Sequence, residues 1–279
     1  MKTLQKQFIN RTVNKRYVAL LNGKMNKPFE ATEVDKYVLK DKSHYRVFDL
    51  ISGPSKPSYF HNSLNGYHAA KMGRYAELFD YQIAKNNMDV LNMLNAKYFI
   101  VADKEGKKQA QLNPDANGNA WFVENVKVVH SANEEMQALD SLNTKTTAVL
   151  DKSKLDRKIQ FNISKDSTAN IELLNYDVTT LTYQSNTTKE QFAVFSEIYY
   201  KDGWNAYIDN ELVPHFRVNY VLRGMKIPAG AHEIVFKFEP KVIQRGGLIS
   251  LTSYGLLVLI TVGWLFFDNK KKKHNLINN

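Results

Sequence analysis

Two stretches of this 279-residue chain concentrate side chains that can do chemistry. In the first, Tyr59-Phe60-His61-Asn62 is followed by Gly66-Tyr67-His68-Ala69-Ala70-Lys71 and Arg74-Tyr75. His68, Lys71 and Arg74 are spaced to share one helical face, where with His61 and Tyr67 they can offer donors to a phosphate or to sugar hydroxyls. A plainer reading also fits: a helix held by polar contacts in its first turn, its cations simply solvated. In the second stretch, Tyr199, Tyr200, Asp202, Trp204 and Tyr207 precede Arg217, Asn219, Tyr220 and Arg223. Aromatic faces beside hydrogen-bonding side chains suit carbohydrate, because the apolar face of a sugar ring packs on an indole or phenol. Aromatic residues at strand spacing also build cores, and Trp204 and Tyr207 are assigned there. The candidate contact residues are therefore His61, Tyr67, His68, Lys71, Arg74, Asp202, Arg217, Asn219 and Arg223.

Other chemistries find no footing. The absence of cysteine removes disulfides, thiolate nucleophiles and cysteine-based zinc sites. The seven histidines are scattered, and none pairs with another at the spacing of a helical zinc site. No phosphate loop, dinucleotide fingerprint or nucleophile elbow is present, so neither a metal nor a cofactor is expected. The net charge of +10 raises the question of nucleic acid. Lys270 to Lys273 supply part of that charge and the rest is interspersed with acids, so no basic stripe emerges and nucleic acid is not expected.

The elements that must position these residues fall into two patterns. Residues 1–42 are polar and weakly periodic and read as a connecting segment. A strand over Tyr45–Leu50, a loop from Ser52 to Pro57, a helix over Tyr67–Lys85 and a helix over Met88–Lys97 capped by Asn87 follow. Then come a strand over Tyr98–Ala102, a polar loop over Asp103–Gly118, a strand over Trp121–His130, a short helix opened by Ser131 and Glu134 at capping-box spacing, and a strand over Thr146–Leu150. Beyond Asp151 helical periodicity stops. Strands are expected at Lys158–Ile163, Ile171–Ser185, Gln191–Tyr199, Trp204–Ile208, Glu211–Tyr220, Gly224–Ile227 and Glu233–Phe238, with turns at Asp209-Asn210 and Pro228-Ala229-Gly230. The fold class is α+β: a mixed α/β unit over 43–150, an antiparallel β-sandwich over 151–240, and one C-terminal transmembrane helix.

That helix is expected over Gly246–Phe267, which contains no charged residue and reaches about 33 Å at ~1.5 Å per residue, enough to cross a bilayer. Trp264, Phe266 and Phe267 stand at its far end, where aromatics favour the interface. Lys270 to Lys273 follow in the tail over 268–279, and such a cluster prefers the cytoplasmic side. The bulk of the chain then lies outside the cytoplasm, with membrane lipid as its first partner and the sandwich almost on the bilayer. Met1 to Asn22 holds no apolar core of the kind a secretory signal needs, and a lone C-terminal helix does not easily export what precedes it. The chain is therefore expected to be the C-terminal portion of a polytopic protein.

Several stretches together resemble the YfhO-type membrane proteins of bacteria. They are Val13–Tyr17, Tyr45–Phe48, Tyr59-Phe60-His61 with Gly66–Lys71 and Arg74-Tyr75, Asn87–Tyr98, Gly118–Val123, Gly203–Asp209 and Arg217–Gly224. The resemblance implies an N-terminal array of membrane helices related to the GT-C glycosyltransferases, then an extracytoplasmic domain and a final helix in the bacterial cytoplasmic membrane. Such enzymes move a sugar from a polyprenyl-phosphate carrier to an acceptor outside the cytoplasm, usually with an acidic residue in an early loop. That loop is not in this sequence, so no catalytic residue carries over. The expected role is that of an accessory domain, with a polyprenyl-phosphate-linked sugar or cell-envelope glycan as ligand. The alternative is a noncatalytic module that binds a glycan or protein.

Overall fold

The computed structural model describes residues 29–277 apart from 54, 67–69, 155–160 and 162. Contacts divide the chain between Gly118 and Asn119.

The first unit opens earlier than expected, with helix α1 (Glu33–Val38) inside the presumed connecting segment. Thr32 and Asp35 form a reciprocal capping box, each satisfying an amide that a helix start leaves unpaired. Strand β1 (Arg46–Asp49) pairs in parallel with β2 (Ala96–Ala102). Parallel neighbours need a crossover. It is made by α2 (Ser55–Phe60), α3 (Gly73–Tyr81), a 3-10 turn at Ile83–Lys85 and α4 (Met88–Met93). Asn87 caps α4 as expected, its side chain accepting the Val90 amide at 3.3 Å. The loop expected at Ser52–Pro57 becomes helical from Ser55, because Pro57 sits in a first turn, where its missing N–H costs nothing. The loop expected at Asp103–Gly118 contains β3 (Lys108–Leu112), antiparallel to β2. Its residues are largely exposed, so no apolar alternation betrays it. Val38, Tyr45, Val47, Tyr98 and Ile100 form one core cluster of this unit.

The second unit begins with β4 (Ala120–Val123), which pairs with β9 (Gln191–Ile198). The first part of the strand expected over Trp121–His130 is therefore a strand of the sandwich, because a strand's allegiance is set by its ladder partner and not by its place in the chain. β5 (Asn125–Val129) and β6 (Thr147–Asp151) form a small parallel pair around α5 (Ala132–Ala138). Ser131 caps α5 by accepting the Glu134 amide at 3.2 Å.

Among the described residues, one sheet has the order β11 (Glu211–Val213), β10 (Trp204–Ile208), β14 (Gly230–Phe238), β8 (Thr180–Thr187), β7 (Asn170–Tyr176). The other runs β12 (Phe216–Val218), β13 (Leu222–Ile227), β9, β4. Leu181, Tyr183, Ala206, Ile208, Ile234 and Phe236 of the first meet Ala193, Phe195, Met225 and Ile227 of the second in one core. That shared core makes the pair of antiparallel sheets a sandwich. Tyr183, Phe195 and Phe236 pack edge to face with centroids 4.9 to 6.2 Å apart. The span read as one strand over Ile171–Ser185 is two, broken by Asp177-Val178-Thr179, and most of the strand expected at Lys158–Ile163 lies outside the described residues. Asp209 and Asn210 take φ of 49° and 70°, the left-handed pair that a two-residue hairpin turn needs.

After Glu239-Pro240 the chain enters α6 (Lys241–Ile277), of which Lys241–Asp268 is long and apolar enough to cross a membrane and whose apolar window is unburied by the protein.

Candidate functional site

In the first unit the capping box that starts α1 also aims a carboxylate inward. Asp35 Oδ2 accepts from the Thr32 amide at 2.8 Å and the Thr32 hydroxyl at 2.7 Å. Its other oxygen lies 3.1 Å from Nε2 of His61, just past α2, and Lys56 Nζ stands 3.7 Å from Oδ2. The His61 and Asp35 side chains are almost wholly buried, at 1% and 7% exposed. Burial pushes the Asp35 carboxyl up, but hydrogen bonds from Thr32 and His61 and the Lys56 charge outweigh it, leaving it below its ordinary value. Beside this pair opens a cavity of about 270 Å³ lined by Leu39, Ser43, Tyr45, Ser58, Tyr59, Phe60, His61 and Asn62. Its walls alternate aromatic faces with hydroxyl, amide and imidazole groups, the mixture that holds a sugar ring.

The neighbouring candidates are placed differently. Lys71 lies before α3, exposed, with its ammonium 5.1 Å from the centre of the Phe79 ring. Arg74 is half-buried in the first turn of α3. The common helical face expected of Lys71 and Arg74 is thus not formed, because Met72 is the N-cap and the helix starts only at Gly73. Tyr67 and His68 lie outside the described residues. Tyr75 donates to the Leu64 carbonyl at 2.8 Å, and burial pushes its hydroxyl up to about 12.

In the second unit, Arg223 of β13 is 2% exposed. Its guanidinium carbon sits 4.2 Å from the centre of the Trp204 ring and 5.0 Å from that of Phe236, and Nε donates to the Ile198 carbonyl at 3.1 Å. The arginine thus joins the two sheets through an aromatic box. His215 packs against Tyr199 and Phe236, and burial, helped by the Arg223 charge, pushes it down to about 4. Burial raises the Tyr199 hydroxyl, the charge of half-buried Arg217 opposes this, and exposed Asp202 reinforces it. Asn219 is 0% exposed and its contacts are with the protein's own backbone.

Strand alternation separates the two aromatics assigned to the core. Trp204 packs against the sandwich core in line with buried Ala206 and Ile208. Tyr207 points the other way and, with Asn205, donates to Glu239 Oε2, at 2.7 and 2.8 Å respectively. Tyr207 therefore belongs to the outer face, where it ties β10 to the residues preceding α6.

Sequence reading passed over Asp35, Lys56 and Tyr45. The pattern Thr32-Glu33-Val34-Asp35 carried the signal for the first, being a capping box. Among the described residues no group of three or more His, Asp or Glu is placed to hold a metal ion.

Residues 136–250 match the family model described as bacterial membrane protein YfhO. No curated protein and no solved structure matches the chain. The matched segment runs from the last turn of α5 through the sandwich and into the first turns of α6, joining the folded unit to the apolar helix. Over that segment the chain is similar to the bacterial membrane proteins of the YfhO family.

Proposed function

We propose that this chain is the extracytoplasmic, membrane-anchored accessory part of a lipid-linked sugar transferase, and that the cavity of its first unit receives the sugar. The observation that carries the reading is the cavity beside His61. Tyr45, Tyr59 and Phe60 offer apolar faces, Ser43, Ser58 and Asn62 offer hydroxyl and amide partners, and the volume of about 270 Å³ suits one sugar ring better than a large ligand. Its location in a chain with a membrane-spanning helix and a YfhO match favours a sugar carried on a polyprenyl phosphate, or a cell-envelope glycan, over a free metabolite. Lys71 and Arg74 are then the groups of the same unit that meet the carrier phosphate, and Asp202 and Arg217 are the contact candidates of the second.

The chain's own residues do no bond-making in this reading. His61, fixed by Asp35, and Asn62 orient hydroxyls, while Tyr59 stacks on the ring. The test is calorimetric titration of the membrane-reconstituted chain with monosaccharides and with a short-chain polyprenyl-phosphate sugar, alongside Tyr59→Ala and Asn62→Ala. Binding that weakens about tenfold in each variant is expected, one lost stacking or hydrogen-bonding contact being worth ~1.4 kcal/mol. Absence of saccharide binding, or variants that bind like wild type, overturns the reading. Binding without any effect of the variants on sugar transfer in membranes favours the noncatalytic module.

A further inference from the structure

The last strand residue of β14 and the residue after it are hydrogen-bonded to two loops that carry exposed apolar side chains. Phe238 donates its amide to the Thr179 carbonyl at 2.8 Å, and Glu239 donates to the Gly203 carbonyl at 2.6 Å. Thr179 belongs to the β7–β8 turn, whose neighbour Val178 is 81% exposed, and Gly203 ends the β9–β10 loop, in which Tyr200 is 43% exposed. Strand registers agree: Lys237 faces Thr180, and Phe238 faces Trp204. Both loops therefore sit at the end of the sandwich from which the chain leaves for α6.

From Phe238 to Lys241 is three residues, a reach of at most about 10 Å. Since α6 opens with Lys241, Gln244 and Arg245 around exposed Val242 and Ile243, and its uncharged run starts at Gly246, about 8 Å further at ~1.5 Å per residue, that end of the sandwich lies at the level of the lipid headgroups. An apolar tip more than four-fifths exposed is a cost in water and a gain in a headgroup layer, and tyrosine favours the same layer. The charges at this end, Asp177, Lys201, Asp202, Lys237, Glu239, Lys241 and Arg245, are of both signs and nearly balance. Apolar insertion, rather than attraction to anionic lipid, then supplies most of the attraction to the bilayer.

We propose that the sandwich rests on the leaflet its helix enters through this end, with Val178 and Tyr200 inserted among the lipid headgroups as two side anchors beside α6. They turn a single-helix tether into a contact that fixes the tilt of the sandwich over the bilayer. The proposal rests on the membrane span of α6 and not on the sugar-binding reading. The opposite end offers an internal control. β14 spans nine residues, about 26 Å at ~3.3 Å per residue, so the β8–β9 turn with exposed Lys189 stands well beyond the headgroup layer.

Because the natural chain has no cysteine, single labels can be placed cleanly. Val178→Cys, Tyr200→Cys, Lys189→Cys and Leu257→Cys of the full chain, each carrying an environment-sensitive fluorophore, would be reconstituted in neutral phosphatidylcholine nanodiscs with a spin label on either headgroup or acyl chain. Val178→Cys and Tyr200→Cys are expected to lose about half their emission or more to the headgroup quencher, Lys189→Cys to lose almost none, and Leu257→Cys to respond to the acyl-chain quencher. Labels at 178 and 200 that behave like the one at 189, while 257 is quenched in the acyl region, overturn the proposal and leave the span intact. Blue-shifted emission at 178 and 200 without lipid quenching points to a protein surface there and also overturns it. A label at 257 that no lipid quencher reaches overturns the span and the proposal together.

Discussion

Asn219 and Val149 exchange two hydrogen bonds: the Val149 amide donates to Asn219 Oδ1 at 2.8 Å, and the Asn219 amide donates to the Val149 carbonyl at 2.8 Å. A side-chain amide thus continues the ladder of β6 where the β12–β13 connection turns. Asn219 and Tyr220 take φ of 49° and 71°, and asparagine tolerates the left-handed region better than most residues. The Tyr220 amide donates to Glu135 of α5 at 3.0 Å in the interior. The connection is pinned to the small parallel pair at one residue and to its helix at the next.

Asn219→Ala removes the acceptor of a buried amide, worth about 1 to 3 kcal/mol, and adds about 1 kcal/mol of left-handed strain. The thermal midpoint of the second unit is expected to fall by about 5 to 10 °C. Asn219→Gly should fall less, since it loses the acceptor but not the conformational tolerance. An alanine variant as stable as wild type in calorimetry would show that the exchange does not hold the turn.

Trp204→Ala removes the lid from the Arg223 guanidinium as well as an aromatic face of the core. A loss of about 3 to 5 kcal/mol is expected, enough to unfold the sandwich in a chemical denaturation series. Arg223→Lys should also lower stability in the otherwise natural chain, because an ammonium can neither stack flat on the indole nor reach the same geometry. Lys71→Ala is the contrast: an exposed cation over one ring contributes about 1 kcal/mol or less, so its melting curve should overlay that of wild type.

His215 gives the second unit an acid-side dependence. Its folded pKa of about 4 lies below the ordinary value of ~6.5, so the unfolded chain binds the proton first as pH falls. The neutral ring's contribution is complete above pH ~6.5 and is withdrawn progressively down to about 4, below which the slope from this group ends. His215→Gln should flatten that part of the profile of thermal midpoint against pH. A variant whose profile keeps the wild-type slope assigns the acid sensitivity to other groups.

The basic end of α6, Lys270 to Lys273, and the residues that follow it are expected on the cytoplasmic side, because lysines next to a membrane span are retained there. A reporter fused after Asn279 should resist a membrane-impermeant reagent in intact cells and react after permeabilisation. Reaction in intact cells would reverse the orientation and, with it, the extracytoplasmic location proposed for both units.

Local patterns determined much of this protein. The uncharged run Gly246–Phe267, the hairpin turn at Asp209-Asn210, the caps at Asn87 and Ser131 and the strands that alternate or run apolar are written in neighbouring residues, and neighbouring residues suffice because capping, turn chemistry and hydropathy act over one or two turns. What sequence could not assign was allegiance and facing. β4 joins the sandwich only because its ladder partner is the distant β9, and β3 exists only as an edge on β2. Of two aromatics in one strand, Trp204 faces the core and Tyr207 the outside, a choice set by the register with β14. Asp35, His61 and Lys56 meet, and Arg223 finds Trp204 and Phe236, only after the chain has closed loops whose ends carry no local mark of one another. Long-range contacts of this kind are made by packing and ladder pairing, which no window of adjacent residues encodes.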